Sequence, residues 1–244
     1  MNKVLIIFLL FFSLIPIYAN VPTQEQLSQS LESYQNGVYE NSIKEYELMI
    51  LNGFNNPYIY YNLSNSYYRN NDIGRASLNI ERALRLAPRD KDIQYNRNFI
   101  AQLSGEPEQN IAEHIVSKLQ LILSLNELVI IVFLLTIILC ISIGIYFLKQ
   151  KRFFLNISII CLVLFSLNAG LLCLKAYNEV ILEEAIVLSD TQVKNKPIKN
   201  EDGAFSVLAG RKVIVLSELG RWVNIKLSVD GFSGWIDKNS IEKI

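Results

Sequence analysis

LVIIVFLLTIILCISIGIYFL (Leu128–Leu148) and FFLNISIICLVLFSLNAGLLCL (Phe153–Leu174) are joined by KQKR (Lys149–Arg152), and the rest of the chain is organised around this stretch. A hydrocarbon core about 30 Å thick takes roughly 20 apolar residues as a helix, and each run is long enough. Lipid leaves helices or closed barrels as the only ways to satisfy the backbone. The stretch therefore predicts a transmembrane helical hairpin with helices over 128–148 and 153–174 and a turn at 149–152. The turn is too short to hold a domain, so everything else hangs on the two far ends. Lys149, Lys151 and Arg152 put three cations in that turn. Cationic loops stay on the cytoplasmic side, which leaves both far ends outside.

The start of the chain agrees. Met1-Asn2-Lys3 is followed by an apolar run from Val4 to Leu14, and Ala19 offers a small residue for cleavage. This is the pattern of a secretory signal peptide over 1–19; an uncleaved anchor would export the following chain equally well. The chain has 244 residues, with Lys+Arg 23 against Asp+Glu 23 and 51% hydrophobic residues. That balance offers no electrostatic footprint for nucleic acid. Its three cysteines, Cys140, Cys161 and Cys173, all lie in the apolar runs, so no disulfide framework is implied for the polar segments. In an antiparallel hairpin Cys140 and Cys161 fall at one depth. The small residues Cys140, Gly144, Ser166 and Gly170 are spaced four apart, which permits close helix approach.

Between signal and hairpin, Thr23–Asn56 and Pro57–Asp90 align without gaps: Ser30 with Ser64, Tyr34 with Tyr68, Ser42 with Ala76, Ile50 with Leu84. Self-similarity at this period marks a helix–turn–helix repeat. Gly37 and Asn71 stand where each pair of helices must turn, and both tolerate the left-handed conformation. Pro88 stops the second pair. Ser42, Met49 and Phe54 depart from the pattern of the second copy, so a looser contact is expected in the first. Asp90–Leu103 reads as one further helix, ended by Gly105 and Pro107, that caps the array.

This segment, residues 23–104, resembles the tetratricopeptide family. The resemblance implies that the first helix of each pair lines a concave groove. On this chain the matching positions include Gln24, Leu27, Leu31 and Tyr34, then Tyr58, Tyr61, Asn65 and Tyr68, then Asp92, Tyr95, Phe99 and Gln102. We take Tyr34, Tyr58, Tyr61, Asn65, Tyr68, Tyr95 and Phe99 as the protein-binding candidates. Tyrosine gives large contact area at low entropic cost; the same rings could instead pack between helices, and the two readings stand side by side. The groove cations with which one family variant clamps a C-terminal carboxylate are absent. Residues 109–126 read as an amphipathic juxtamembrane helix, with Asn110 and Glu113 as a capping pair and Ile111, Ile115, Leu119 and Ile122 at helical spacing. It would lie in the interface or pack under the repeats. The single His114 has no partner at ligand spacing.

Residues 185–244 change character, with short β-rich runs over Ala185–Leu188, Lys212–Leu216, Trp222–Leu227 and Phe232–Ile236. Val223, Ile225 and Leu227 alternate with Trp222, Asn224 and Lys226, the period of a half-buried strand. About 60 residues of short strands suggest a small all-β barrel. Gly210 before Lys212–Val215, Gly220-Arg221-Trp222-Val223 and Gly231-Phe232-Ser233-Gly234-Trp235-Ile236 resemble a bacterial SH3-like domain. The resemblance implies a groove in which Trp222 and Phe232 would contact a peptide or peptidoglycan, with Trp235 in the core.

No phosphate-cradling glycine loop, metal-ligand pair or nucleophile–histidine pair stands out. We therefore expect no enzyme and no cofactor. The order of signal, tetratricopeptide repeats, hairpin and SH3-like domain resembles the BatE family of the bacterial aerotolerance operon. That resemblance implies a scaffold in the bacterial inner membrane with both terminal domains periplasmic. Its partners would be membrane proteins of the von Willebrand factor A type and, indirectly, a cytoplasmic MoxR-type ATPase. The alternative is a tether or sensor that binds the cell wall through the SH3-like domain.

Overall fold

The computed structural model describes residues 22–107, 123–177, 182–199, 203–227 and 231–244. The signal segment 1–19, His114, most of the expected juxtamembrane helix 109–126 and the turn residues Ser228–Asp230 lie outside the described residues. The fold has a helical N-terminal part, two long apolar helices and a C-terminal antiparallel sheet.

Five helices form the first part: α1 (Gln24–Gln35), α2 (Tyr39–Leu51), α3 (Pro57–Arg69), α4 (Ile73–Leu86) and α5 (Lys91–Leu103). Their starts follow from local chemistry. Thr23 and Gln26 form a capping box on α1. Asn56 caps α3, which has Pro57 in its first turn; Asp72 caps α4 and Asp90 caps α5. Each cap satisfies amide groups that the first turn leaves unpaired. The turns use the left-handed region where expected, at Gly37 (φ 76°) and Asn71 (φ 62°). The core joins Tyr46, Met49, Ile59, Leu63, Ile80, Ile93 and Ile100, all buried. Each such aliphatic side chain contributes roughly 1.5–3 kcal/mol by leaving water. The contact expected to be looser is closed: Ser42 is buried, and its hydroxyl shares a hydrogen bond of 2.9 Å with that of Ser66.

The apolar helices are α6 (Leu125–Lys149) and α7 (Arg152–Ala176), each long and apolar enough to cross a membrane. They run slightly past the expected bounds 128–148 and 153–174, so the turn narrows to Gln150 and Lys151, with Gln150 left-handed at φ 48°. They pack side by side through Leu128 and Ser142 of α6 and Ser158 and Cys161 of α7. The Ser142 and Ser158 hydroxyls share a hydrogen bond of 2.8 Å. Here one expectation is corrected, that the small residues spaced four apart mark the close approach. Cys140 is exposed although Cys161 is buried, and Gly144 and Gly170 point away from the contact; a Cβ at either would meet nothing within 4 Å. The reason is helical phase: two residues along a helix is about half a turn, so with Ser142 inside, Cys140 and Gly144 must be outside.

The sheet holds β1 (Glu184–Val187), β2 (Thr191–Lys194), β3 (Gly203–Val207), β4 (Lys212–Leu219), β5 (Trp222–Leu227), β6 (Ser233–Asp237) and β7 (Ile241–Lys243), in the order β3-β2-β6-β5-β4-β1-β7. All described pairings are antiparallel. Val187, Val193, Val213, Val223, Ile225 and Ile236 fill its core. β1, β4 and β6 fall within a few residues of their expected bounds, and β5 matches them; β2, β3 and β7 were not anticipated as separate strands.

Candidate interaction surface

The residues singled out for protein binding come from α1, α3 and α5, and contacts between helices hold most of them in place. Tyr68 meets Phe99 edge-on, ring centroids 5.4 Å apart. The Asn96 side chain donates to that of Asn65 at 2.9 Å, and the Tyr58 hydroxyl donates to Asp90 at 3.1 Å. Three bonds or ring contacts thus tie α3 to α5 or its cap, along the line of the expected groove. Tyr34 packs edge-on to Tyr39 at 5.6 Å, and the Arg69 guanidinium both lies over Tyr39 and donates to its hydroxyl at 3.0 Å. Partial burial pushes the Tyr34 hydroxyl pKa up, against the opposing charge of Arg69. Tyr61 is half-buried against the core. Tyr95 is 73% exposed and Phe99 39%, so the outer rim of this face is apolar and open.

Both readings of the tyrosines therefore hold, for different residues. Tyr34, Tyr61 and Tyr68 serve packing with one edge exposed, whereas Tyr58 and Tyr95 present most of their area and Phe99 more than a third. Such a face offers ring edges to apolar side chains and, near its centre, the Asn65–Asn96 carboxamides to an extended backbone. Nearby Arg69 is already engaged by Tyr39.

On the sheet, Trp222 and Phe232 are not brought together. Trp222 pairs with Asp237 at one end of the β5–β6 ladder, and Ser233, next to Phe232, pairs with Lys226 at the other. Lys194 lies over the Trp222 ring at 5.3 Å and Arg221 at 5.6 Å. Both are cation–π distances. The Arg221 hydrogen bond holds the Asp237 carboxyl below the ordinary carboxylate range. Phe232 is exposed, with Phe205 beside it at 5.9 Å.

A third surface was missed by sequence reasoning: the seam between the helical part and the sheet. α4 lies against β1, β4 and β7. Ser77 Oγ donates to the Gly210 carbonyl at 2.8 Å, Arg82 pairs with Glu242 at 2.8 Å and Arg85 with Glu184 at 3.1 Å. At the centre, buried Glu81 receives Arg97 of α5 at 2.7 Å and Lys212 of β4 at 2.9 Å. Arg97 reaches on to Glu106 at 3.0 Å. Burial alone would raise the Glu81 pKa; Lys212 and Arg97 outweigh it and hold the carboxyl at about 2. Backbones meet at the same seam, since a Cβ on Gly74 would strike the Leu188 carbonyl. Arg211 donates to the Gly105 carbonyl. The signal available was a stripe of Ser77, Glu81 and Arg85 along one face of α4, which reads equally well as a solvated face.

No group of three or more histidine, cysteine, aspartate or glutamate side chains among the described residues is placed to hold a metal ion. No protein-family model matches the chain, and no curated protein matches it.

Proposed function

We propose that this protein is a membrane-anchored scaffold. In this reading residues 23–104 are tetratricopeptide-type repeats, residues 185–244 an SH3-like domain, and α6–α7 a transmembrane hairpin. The basic turn at Lys149–Arg152 lies in the cytoplasm and both domains lie in the periplasm. The scaffold works in a Bat-type envelope stress complex, where the repeat face holds a periplasmic segment of a von Willebrand factor A-type membrane protein. A MoxR-type ATPase is reached only through that partner, because the cytoplasmic turn is too short to dock one.

The observation that supports this most is the aromatic face of α1, α3 and α5. It leaves Tyr58, Tyr95 and Phe99 exposed while ring and carboxamide contacts brace the residues around them. A braced aromatic surface binds at low ordering cost. Purification of the chain from mild detergent should recover specific membrane proteins, and Tyr95→Ala with Phe99→Ala should release them while the fold persists. Retention of every partner by that double variant would sink the reading. A reporter fused after Ile244 should be active only in the periplasm; cytoplasmic activity would overturn the topology.

A further inference from the structure

We propose that one end of the helical array, carrying Leu51, Phe54, Leu86 and Arg89, rests in the headgroup region of the bilayer. This builds on the reading of α6–α7 as a membrane hairpin, and it adds a second membrane contact outside the spans.

Successive helices of the array run antiparallel, so the end of α2, the start of α3, the end of α4 and the start of α5 lie together. Leu51 ends α2 and is 82% exposed; Leu86 ends α4 and is exposed. Tyr58 and Tyr95, on α3 and α5, stay on the adjoining face proposed for the protein partner. Phe54 lies in the loop between α2 and α3, partly packed on the core.

One ion pair joins this end to the hairpin: Arg89, in the α4–α5 turn, pairs with Glu127 in the first turn of α6 at 2.6 Å. A second pair, Arg85 with Glu184, ties the end of α4 to the start of β1. Nearby, Lys175 of α7 donates to the Leu123 carbonyl just ahead of α6 at 2.6 Å, so the two far ends of the hairpin are also held together. The exposed leucines are thus carried where the apolar helices leave the hydrocarbon.

The opposite end is built differently. Its turns are Asn36-Gly37, Asn70-Asn71-Asp72 and Ser104-Gly105-Glu106, with Val38 and Leu103 exposed there, and no described contact links those turns to α6 or α7. Charge does not drive the contact: Arg89 and Lys91 are balanced by Asp90 and Asp92. Attachment is accordingly apolar and indifferent to anionic lipid.

The test uses the full chain in phosphatidylcholine nanodiscs, with its three cysteines replaced by alanine and a bimane probe on Leu51→Cys, Asn36→Cys or Phe133→Cys. Lipids brominated near the headgroup should quench the Leu51→Cys probe at least about twofold more than the Asn36→Cys probe, and adding phosphatidylglycerol should not change the ratio. Equal, weak quenching at both positions, with Phe133→Cys strongly quenched, overturns the proposal and leaves the hairpin intact. Weak quenching at Phe133→Cys as well would overturn the membrane reading, and the proposal with it. A photo-crosslinking residue at Leu51, in a chain that keeps its cysteines, should capture lipid; capture of none counts against the contact even if the cysteine-free chain misfolds.

Discussion

Glu81→Gln removes the one negative charge shared by Arg97 and Lys212 at the seam while keeping its shape. The cost can be worked from the structure. The carboxyl is held at about 2, against about 4.3 for a free glutamate. That gap corresponds to about 3 kcal/mol at about 1.4 kcal/mol per tenfold change. It falls within the range of roughly 3–5 kcal/mol for breaking a buried pair by removing one partner. Arg97 would be left with Glu106 at 3.0 Å and Lys212 with Glu184 at 3.5 Å, two like charges with fewer partners in a largely dry site. Urea unfolding in detergent reads the two sides separately. Both tryptophans, Trp222 and Trp235, are in the sheet, and far-UV circular dichroism follows the helices. The native transitions should coincide; in the variant the sheet should unfold earlier and the two should separate. Adding Lys212→Met to Glu81→Gln should cost little more, since without Glu81 the buried lysine keeps only its longer pair with Glu184. A loss below about 1 kcal/mol with coincident transitions would refute this account of the seam. The pH dependence follows with its sign. Folding lowers the Glu81 pKa, so its contribution is complete above about pH 4.3 and is lost as pH falls through about 2. The seam should hold at neutral pH and loosen only in strong acid.

Gly74→Ala should weaken the same seam by about 1–3 kcal/mol, because its methyl meets backbone rather than a side chain able to turn aside; the melting of the sheet reports it. Gly144→Ala should leave the thermal midpoint unchanged or raised, since nothing lies within 4 Å and alanine favours helix by about 1 kcal/mol. Asn71→Val should cost about 1–2 kcal/mol, the penalty of a branched side chain at φ 62°; Asn71→Gly should be nearly neutral in the same denaturation assay.

Features carried by local sequence were legible in advance. The alternation of Val223, Ile225 and Leu227 puts them inside, with Lys226 exposed, and the left-handed turns fall at Gly37 and Asn71. The apolar helices could be bounded to within a few residues because no charged residue interrupts them. β2 and β7 escaped notice because Thr-Gln-Val-Lys and Ile-Glu-Lys each contain one apolar residue, too few to show a period. The face of each apolar helix was misassigned for a different reason. When nearly every residue is apolar, hydrophobicity carries no phase, and only the Ser142–Ser158 bond shows which side is inside. Of the candidate site, Tyr58, Asn65, Tyr68 and Phe99 came from the groove positions that the tetratricopeptide resemblance implies, and contacts between α3 and α5 or its cap involve all four. The seam could not be read, because Glu81 and Lys212 look like surface charges until the chain brings them together.

The bond from Ser77 to Gly210 spans 133 positions of sequence, and both apolar helices fall inside that interval. In order of synthesis, α1 to α5 are complete long before any strand exists. Glu81 and Arg97 must then stay without Lys212 until the hairpin has been made and β4 follows it. Contacts of such long range form late, after the entropy of closing a large loop has been met. The seam is thus a final assembly step, and in the proposed topology it closes only when both ends of the hairpin emerge on the same side. A chain whose second apolar helix failed to insert would keep its helical array but never close the seam, which would report correct threading through the membrane.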